Sequence, residues 1–199
     1  MKKVLVATRN MDKFDIVVKM LNKHAFKNYE YLSLNDINGS IAEEKEQGDI
    51  TNRAINKALV ARKSIRYDEF DYVIGIDDGI EMKGKIIENV KNYIGDIINN
   101  NYLIENERVN IVRAYSFVDK EMNHKEIVTK IPFKYKKSDR QIEPDKVGYP
   151  LSYVLTPINS DIPVAELNKE DSNNYYLSYS AKEIENVGEY FNVMQWYRC

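Results

Sequence analysis

Val4-Leu5-Val6-Ala7-Thr8-Arg9-Asn10-Met11-Asp12-Lys13 is the stretch that decides how the rest of the chain is read. Its four leading apolar residues read as a buried strand, because the run is continuous rather than alternating. Asn10 stands where a helix can begin. Met11, Phe14, Val18 and Leu21 then recur at three and four, with Val17 beside them, which predicts a helix over 11–22. A strand that turns straight into a helix N-terminus gathers backbone N–H groups around one point. Thr8, Asn10 and Lys13 add a hydroxyl, an amide and an ammonium there, a chemistry that suits an anion such as phosphate. An ordinary helix start explains the same residues, with Asn10 as N-cap and Lys13 as a solvated first-turn cation. No GxxxxGK[ST] pattern is present, so this is not a Walker-type loop.

Working outward, Tyr29 to Leu34 reads as a second strand and 36–49 as a polar, acidic loop. Thr51 to Ile65 reads as a helix whose small residues Ala54, Ala58 and Ala61 share a face suited to close contact with a sheet. Tyr72-Val73-Ile74-Gly75-Ile76 is another buried strand, expected to end at Asp77-Asp78-Gly79, with Ile80-Glu81-Met82 continuing as strand or hairpin. Residues 86–104 have a helical pattern. Alternation over 109–118 predicts a strand with 125–135 as its antiparallel partner. A charged loop over 136–148, a short strand over 151–155 and an amphipathic helix marked by Ile184, Val187, Phe191 and Met194 complete the chain. Strands and helices alternate first and a strand pair follows, which implies a mixed α/β sheet with helices packed on it.

The 199 residues fit one domain, 1–199, either single-lobed or two-lobed. With 43% hydrophobic and 30% charged residues, a packed core is expected rather than disorder. A net charge of −2 gives no field of one sign, so neither a nucleic-acid nor a membrane partner is expected. The single cysteine, Cys199, allows neither an internal disulfide nor a cysteine zinc cluster, and the chemistry fits a reducing cytoplasm. No segment is apolar enough to span a bilayer, and Arg9, Asn10, Asp12 and Lys13 cut the first apolar run too short for a signal sequence.

Three further groups carry possible chemistry. Asp77 and Asp78 follow a buried strand, at the carboxyl end where α/β sheets gather ligands, and carboxylates there can hold Mg²⁺. Successive strand residues face opposite ways, so an extended chain aims only one of the two at a site. An Asp-Gly turn is the simpler explanation. Glu43-Glu44-Lys45-Glu46 precedes the helix bearing Arg53 and Lys57, which share a face one turn apart. A loop carboxylate there suits a metal and the basic pair suits phosphate, though surface charge at a helix start explains them too. His24 and His124 have no evident companions. Tyr175, Tyr176, Tyr179 and Trp196 are able to stack on a base, and amphipathic core residues look the same.

Taken together and in order, these pieces resemble the inosine triphosphate pyrophosphatase superfamily, enzymes that remove non-standard purine nucleotides. Val4 to Lys13 resembles the family's opening strand and A-T-x-N-x-x-K. Glu43-Glu44 through Ala54-Ile55-Asn56-Lys57-Ala58 resembles its acidic loop leading to N-A-x-x-K-A. Ile76 to Glu81 resembles A-D-D-S-G-L-E, Gly148-Tyr149-Pro150 resembles G-Y-D-P, and Ala165-Glu166-Leu167 to Ser178 resembles the stretch before S-H-R. Asn52-Arg53-Ala54 and Gly75 to Gly79 are also similar to the inosine/xanthosine triphosphatase branch.

The resemblance implies an elongated mixed sheet flanked by helices, with two lobes and a central cleft. It implies a Mg²⁺-dependent hydrolase that cleaves a nucleoside triphosphate to monophosphate and pyrophosphate, commonly as a homodimer. By position, Thr8, Asn10 and Lys13 would hold the triphosphate, with Arg53, Tyr149, Ser178 and Tyr179 as further substrate contacts. Glu44 and Asp77 or Asp78 would bind Mg²⁺, the other Asp would orient or activate water, and Lys57 would stabilise developing charge. The sequence also departs from the family pattern. Arg9 replaces a glycine, Arg53 an asparagine, and Tyr179-Ser180 the His-Arg pair that reads the base. The phosphate and metal half is largely retained and the base-reading half is not, so a non-catalytic nucleotide-binding protein on the same fold is the alternative reading.

Overall fold

Strand β1 (Lys3–Val6) and strand β3 (Tyr72–Met82) lie side by side and parallel, with Val4 level with Tyr72 and Val6 level with Ile74. The fold is that of a computed structural model, which describes residues 2–37, 48–64, 69–88, 90–99, 103–137 and 150–196. On the other side of β1 runs β2 (Glu30–Ser33), also parallel. Helix α1 (Met11–His24) leads from β1 to β2, and helix α2 (Ile50–Ser64) lies between β2 and β3 in sequence. Strands β4 (Lys85–Ile87), β5 (Arg108–Asp119), β6 (His124–Tyr135) and β7 (Leu155–Pro157) complete a seven-stranded sheet of order β2-β1-β3-β5-β6-β7, with β4 antiparallel on β3. Helix α3 (Val90–Asn99) precedes β5, and helices α4 (Lys169–Ser178) and α5 (Ala181–Trp196) follow β7. The mixed sheet with flanking helices is the α/β class expected from the sequence.

Two compact units share this chain: Met1–Asp77 with Arg113–Thr129 and Leu177–Cys199, and Asp78–Val112 with Lys130–Tyr176. In the first, the strands separate two apolar layers, because alternate residues face opposite sides. Val4, Val6, Tyr72, Ile74 and Ile76 face α1 and α5, meeting Val17, Met20, Leu21, Ile184, Val187 and Phe191. Leu5, Ala7 and Val73 face α2, meeting Ala58 and Ala61. The crossover helices α1 and α2 therefore lie on opposite faces. Arg62 of α2 is fully buried, yet its guanidinium donates to the carbonyls of Phe70 (2.8 Å), Asp71 (3.1 Å) and Val118 (3.1 Å). A buried cation needs such partners, and these tie α2 to the entrance of β3 and the end of β5. In the second unit, Glu81 accepts from Lys130 Nζ and Asn110 Nδ2, both at 2.7 Å, and Phe133 packs on Tyr175 and Tyr176.

Several expectations are corrected. No turn forms at Asp78-Gly79: β3 runs on to Met82, and the chain reverses at Lys83-Gly84, where both residues have positive φ. Gly84, at φ 72°, supplies the left-handed conformation a tight hairpin needs. The expected helix over 86–104 gives up its start to β4. Residues 150–153 form a 3₁₀ turn rather than a strand, and the strand lies just beyond, at Leu155–Pro157. Helix α4 is absent from the sequence reading, because its polar stretch has no apolar stripe. Its start was signalled by Asn168, whose Oδ1 accepts from Asp171 N at 2.8 Å while its Nδ2 donates to the Asp171 carboxylate at 2.7 Å. Tyr175 and Tyr176 are framework residues: the Tyr175 hydroxyl donates to Pro132 O and accepts from Ile158 N. His24 does have a companion, Glu185 of α5, at 2.9 Å, and His124 lies 3.4 Å from Glu126. Among the described residues no helix is long and apolar enough to cross a membrane.

Candidate functional site

Between β1 and β3 the strand order reverses, and in open α/β sheets ligands settle outside the carboxyl ends of strands at such a point. β1 stops at Val6 while β3 continues, so the β1–α1 loop leaves the sheet level with Gly75. Ala7 N donates to Ile74 O at 2.7 Å and fixes that departure. In the loop, Asn10 N donates to Thr8 Oγ1 (3.1 Å) and Lys13 N donates to Asn10 Oδ1 (3.1 Å). Asn10 is thus the N-cap of α1, as the plainer sequence reading held. The geometry does not set capping against anion binding. A hydroxyl that accepts from a backbone N–H still has its O–H to donate, and an amide whose oxygen is engaged still has its NH₂. Both side chains have their acceptor atoms turned to the backbone, which leaves donors, the groups an anion needs.

On α2 the decisive feature is a close approach. A Cβ built at Gly75 would stand 1.9 Å from Ala54 O and 2.7 Å from Ala58 N, so only glycine lets the helix backbone lie directly on β3. Asp49 starts that helix, its Oδ1 accepting from Asn52 N at 2.8 Å. Ala54 and Ala58 face the strand, and Arg53 and Lys57, each one residue earlier, lie along the same contact. Asp77, two residues beyond Gly75, projects from the same face of β3 and meets both cations. Lys57 Nζ donates to Asp77 Oδ1 at 2.7 Å, and Arg53 Nε lies 2.5 Å from Asp77 Oδ2. The Arg53 contact lacks hydrogen-bond alignment and is held by charge. Arg53 and Asp77 are buried, at 3% and 6% exposure, while the Lys57 side chain is 29% exposed. Asp77 thus meets two cations at once, and its buried carboxylate lies where water screens such contacts poorly.

Asp78, the next residue of the extended β3, faces the other side of the strand from Asp77. Ser178 is exposed at the end of α4 and Tyr179 is half-buried in the turn before α5, a separate part of the same unit. Glu44 and Tyr149 lie outside the described residues. The sequence reading also passed over Ser33 at the end of β2 and Asn35 and Asp36 just beyond it. Buried Ser33 gives its N–H and its hydroxyl to Asp36 Oδ2, each at 2.7 Å, and these bonds hold the Asp36 carboxyl below its usual range. A serine three residues before an aspartate, just past a strand, is a turn signature.

The described residues do not assemble a Mg²⁺ site. Among them, no group of three His, Cys, Asp or Glu side chains gathers around one point. Both oxygens of Asp77 face cations, a setting that disfavours a divalent ion there.

Fold and site together give an α/β protein in which the Asn10-capped loop follows β1 and the Arg53–Asp77–Lys57 cluster lies on β3, its parallel neighbour. The same fold is found in the nucleoside-triphosphatase / dITP/XTP pyrophosphatase of Mycobacterium abscessus, with 18% identity, a TM-score of 0.59, and coverage of 91% of this chain and 96% of that one. The Staphylococcus aureus Ham1 protein is similar at 17% identity and a TM-score of 0.59, over 98% of this chain and 97% of its own. A HAM1 protein from Coxiella burnetii gives a TM-score of 0.63 at 11% identity, over 94% and 98%. No family model and no curated protein matches the sequence. The mixed sheet with flanking helices that the motif resemblance implies is therefore the fold observed.

Proposed function

We propose that this protein is a nucleoside triphosphate pyrophosphatase that hydrolyses non-standard purine nucleoside triphosphates to monophosphate and pyrophosphate. The observation that carries the reading is the Arg53–Asp77–Lys57 trio, set on the α2 face of β3 where the β1–α1 loop leaves the sheet. The fold supports it, since one protein with this fold is described as a dITP/XTP pyrophosphatase.

In this reading, Thr8, Asn10, Lys13 and the first turn of α1 hold the polyphosphate. The incoming anion competes with Asp77 for Lys57, and the Oδ1 that Lys57 leaves becomes an acceptor for a water proton. The water oxygen bonds to the α-phosphorus as the bond to the bridging oxygen breaks, and that oxygen departs with pyrophosphate. Lys57 and Arg53 offset the charge that grows on the leaving group. Mg²⁺ enters this proposal only as the hard cation that accompanies a triphosphate in solution.

The purified protein is mixed with standard, deaminated and otherwise modified triphosphates, with and without Mg²⁺, and pyrophosphate is measured. Release from at least one deaminated purine triphosphate is expected, and no release from any member would sink the proposal. A second reading, a nucleotide binder without turnover, is favoured by the engagement of both Asp77 oxygens. Calorimetric binding of a triphosphate recovered intact after prolonged incubation with Mg²⁺ would establish it instead.

A further inference from the structure

We propose that Asn35, just beyond β2, is a positioning residue for the phosphate loop. This rests on the proposed triphosphate role of Thr8 and Asn10. Asn35 Nδ2 donates to Arg9 O at 3.1 Å and reaches Met11 Sδ at 3.4 Å. Its own N–H donates to Ser33 Oγ at 3.2 Å, and Leu34 N donates to Thr8 O at 3.1 Å. Ser33 is in turn locked on Asp36 by two bonds of 2.7 Å. The β2 turn is therefore a rigid bracket whose outer end grips the β1–α1 loop.

The consequence lies in one peptide plane. In a trans peptide the carbonyl and the following N–H point opposite ways. Asn35 holds the Arg9 carbonyl on one side, so the Asn10 N–H is aimed to the other, at Thr8 Oγ1. That bond occupies the acceptor side of the Thr8 hydroxyl and directs its proton outward, the state in which it can donate to a phosphate oxygen. Without Asn35 the Arg9–Asn10 peptide is able to rotate. Thr8 then loses its fixed donor direction, and a carbonyl dipole turns in a loop meant for anions. Asn35 touches no reacting atom: it acts through Arg9, Asn10 and Thr8, and so sets affinity for the polyphosphate rather than the rate of the chemical step.

The test compares wild type, Asn35→Ala and Asn35→Asp, the last keeping the shape but losing the donor. Pyrophosphate release is followed against concentration of the best triphosphate of the panel, and the affinity for inorganic pyrophosphate is measured by calorimetry. Both variants should raise KM and the pyrophosphate Kd together by about five- to tenfold, the scale of one hydrogen bond. In both, kcat should stay within about twofold, and melting should be nearly unchanged because Asn35 is exposed. KM and Kd within about twofold of wild type in both variants, an Asn35→Asp protein that behaves as wild type, or a fall in kcat alone would overturn the inference. Ser33→Ala, which removes the bond to the Asn35 N–H, should weaken pyrophosphate binding in the same direction. A wild type that neither hydrolyses triphosphates nor binds pyrophosphate removes the proposed function and this inference with it. An active wild type with indifferent Asn35 variants removes the inference alone.

Discussion

Asp77 carries opposing demands at a single side chain. Its carboxylate contacts both Arg53 and Lys57, and in the proposed function both cations then serve an anion. The substitution Asp77→Asn tests that double role, because it keeps the shape and removes the charge. Turnover is expected to fall by about a hundredfold or more if the carboxylate directs water. Binding of inorganic pyrophosphate should tighten by a few-fold, since the trio gains one positive charge. Steady-state kinetics and calorimetry read the two effects separately. The same variant should lose about 3 kcal/mol of stability in a denaturant titration, because a buried arginine is deprived of its carboxylate. Weaker pyrophosphate binding in a folded Asp77→Asn protein would count against an anion site at this trio.

At the scale of elements, the site exists because α2 lies on β3 without an intervening side chain. Gly75→Ala is the smallest change that denies this. Its methyl would meet Ala54 O and Ala58 N, both backbone atoms that cannot step aside without moving the helix. A loss of about 2–4 kcal/mol is expected in thermal or denaturant melts, the upper part of the range for overpacked contacts. Because Arg53 and Lys57 ride on that helix, turnover should fall as well, even at temperatures where the variant is fully folded. A variant with unchanged melting would mean that the close approach is not required. The sequence foreshadowed this contact through Ala54, Ala58 and Ala61. What it did not reveal is that glycine on the strand answers alanine on the helix, since that match exists only across the interface.

Across the whole molecule, carboxylates with depressed pKa set the acid side of stability. Lys130 and Asn110 hold Glu81 below its ordinary value, Lys134 does the same for Asp161, and Ser33 for Asp36. A carboxyl with a lower pKa when folded binds fewer protons in the native state. Stability from it is present above the unfolded value, about 4.3 for glutamate, and is lost as pH falls through the folded value. Melting temperature should therefore drop below about pH 4.3. Glu81→Gln should melt lower than wild type near neutrality, with the gap closing as acid protonates Glu81 in the wild-type protein. A gap that stays constant from about pH 7 to about pH 3 would show that the Lys130 pair contributes nothing pH-dependent.

By itself, the sequence determined the strand–loop–helix at residues 4–13, the buried core strands, the closing helix and the small face of α2. Those features are written in local periodicity and residue size, which the chain carries wherever it folds. It also singled out Thr8, Asn10, Lys57 and Asp77. Only the tertiary structure decided that Asp77 and Asp78 part to opposite faces, because an Asp-Asp-Gly run serves a turn or a straight strand equally well until β4 and β5 pair with its neighbours. Only the fold turned Arg53 inward onto Asp77, a pairing set by how closely α2 approaches β3. The opening stretch, read alone, left cap and anion site as alternatives. The folded loop shows the cap, and the hydrogen bonds that satisfy the backbone engage the acceptor atoms of Thr8 and Asn10, which is what the proposed anion site requires.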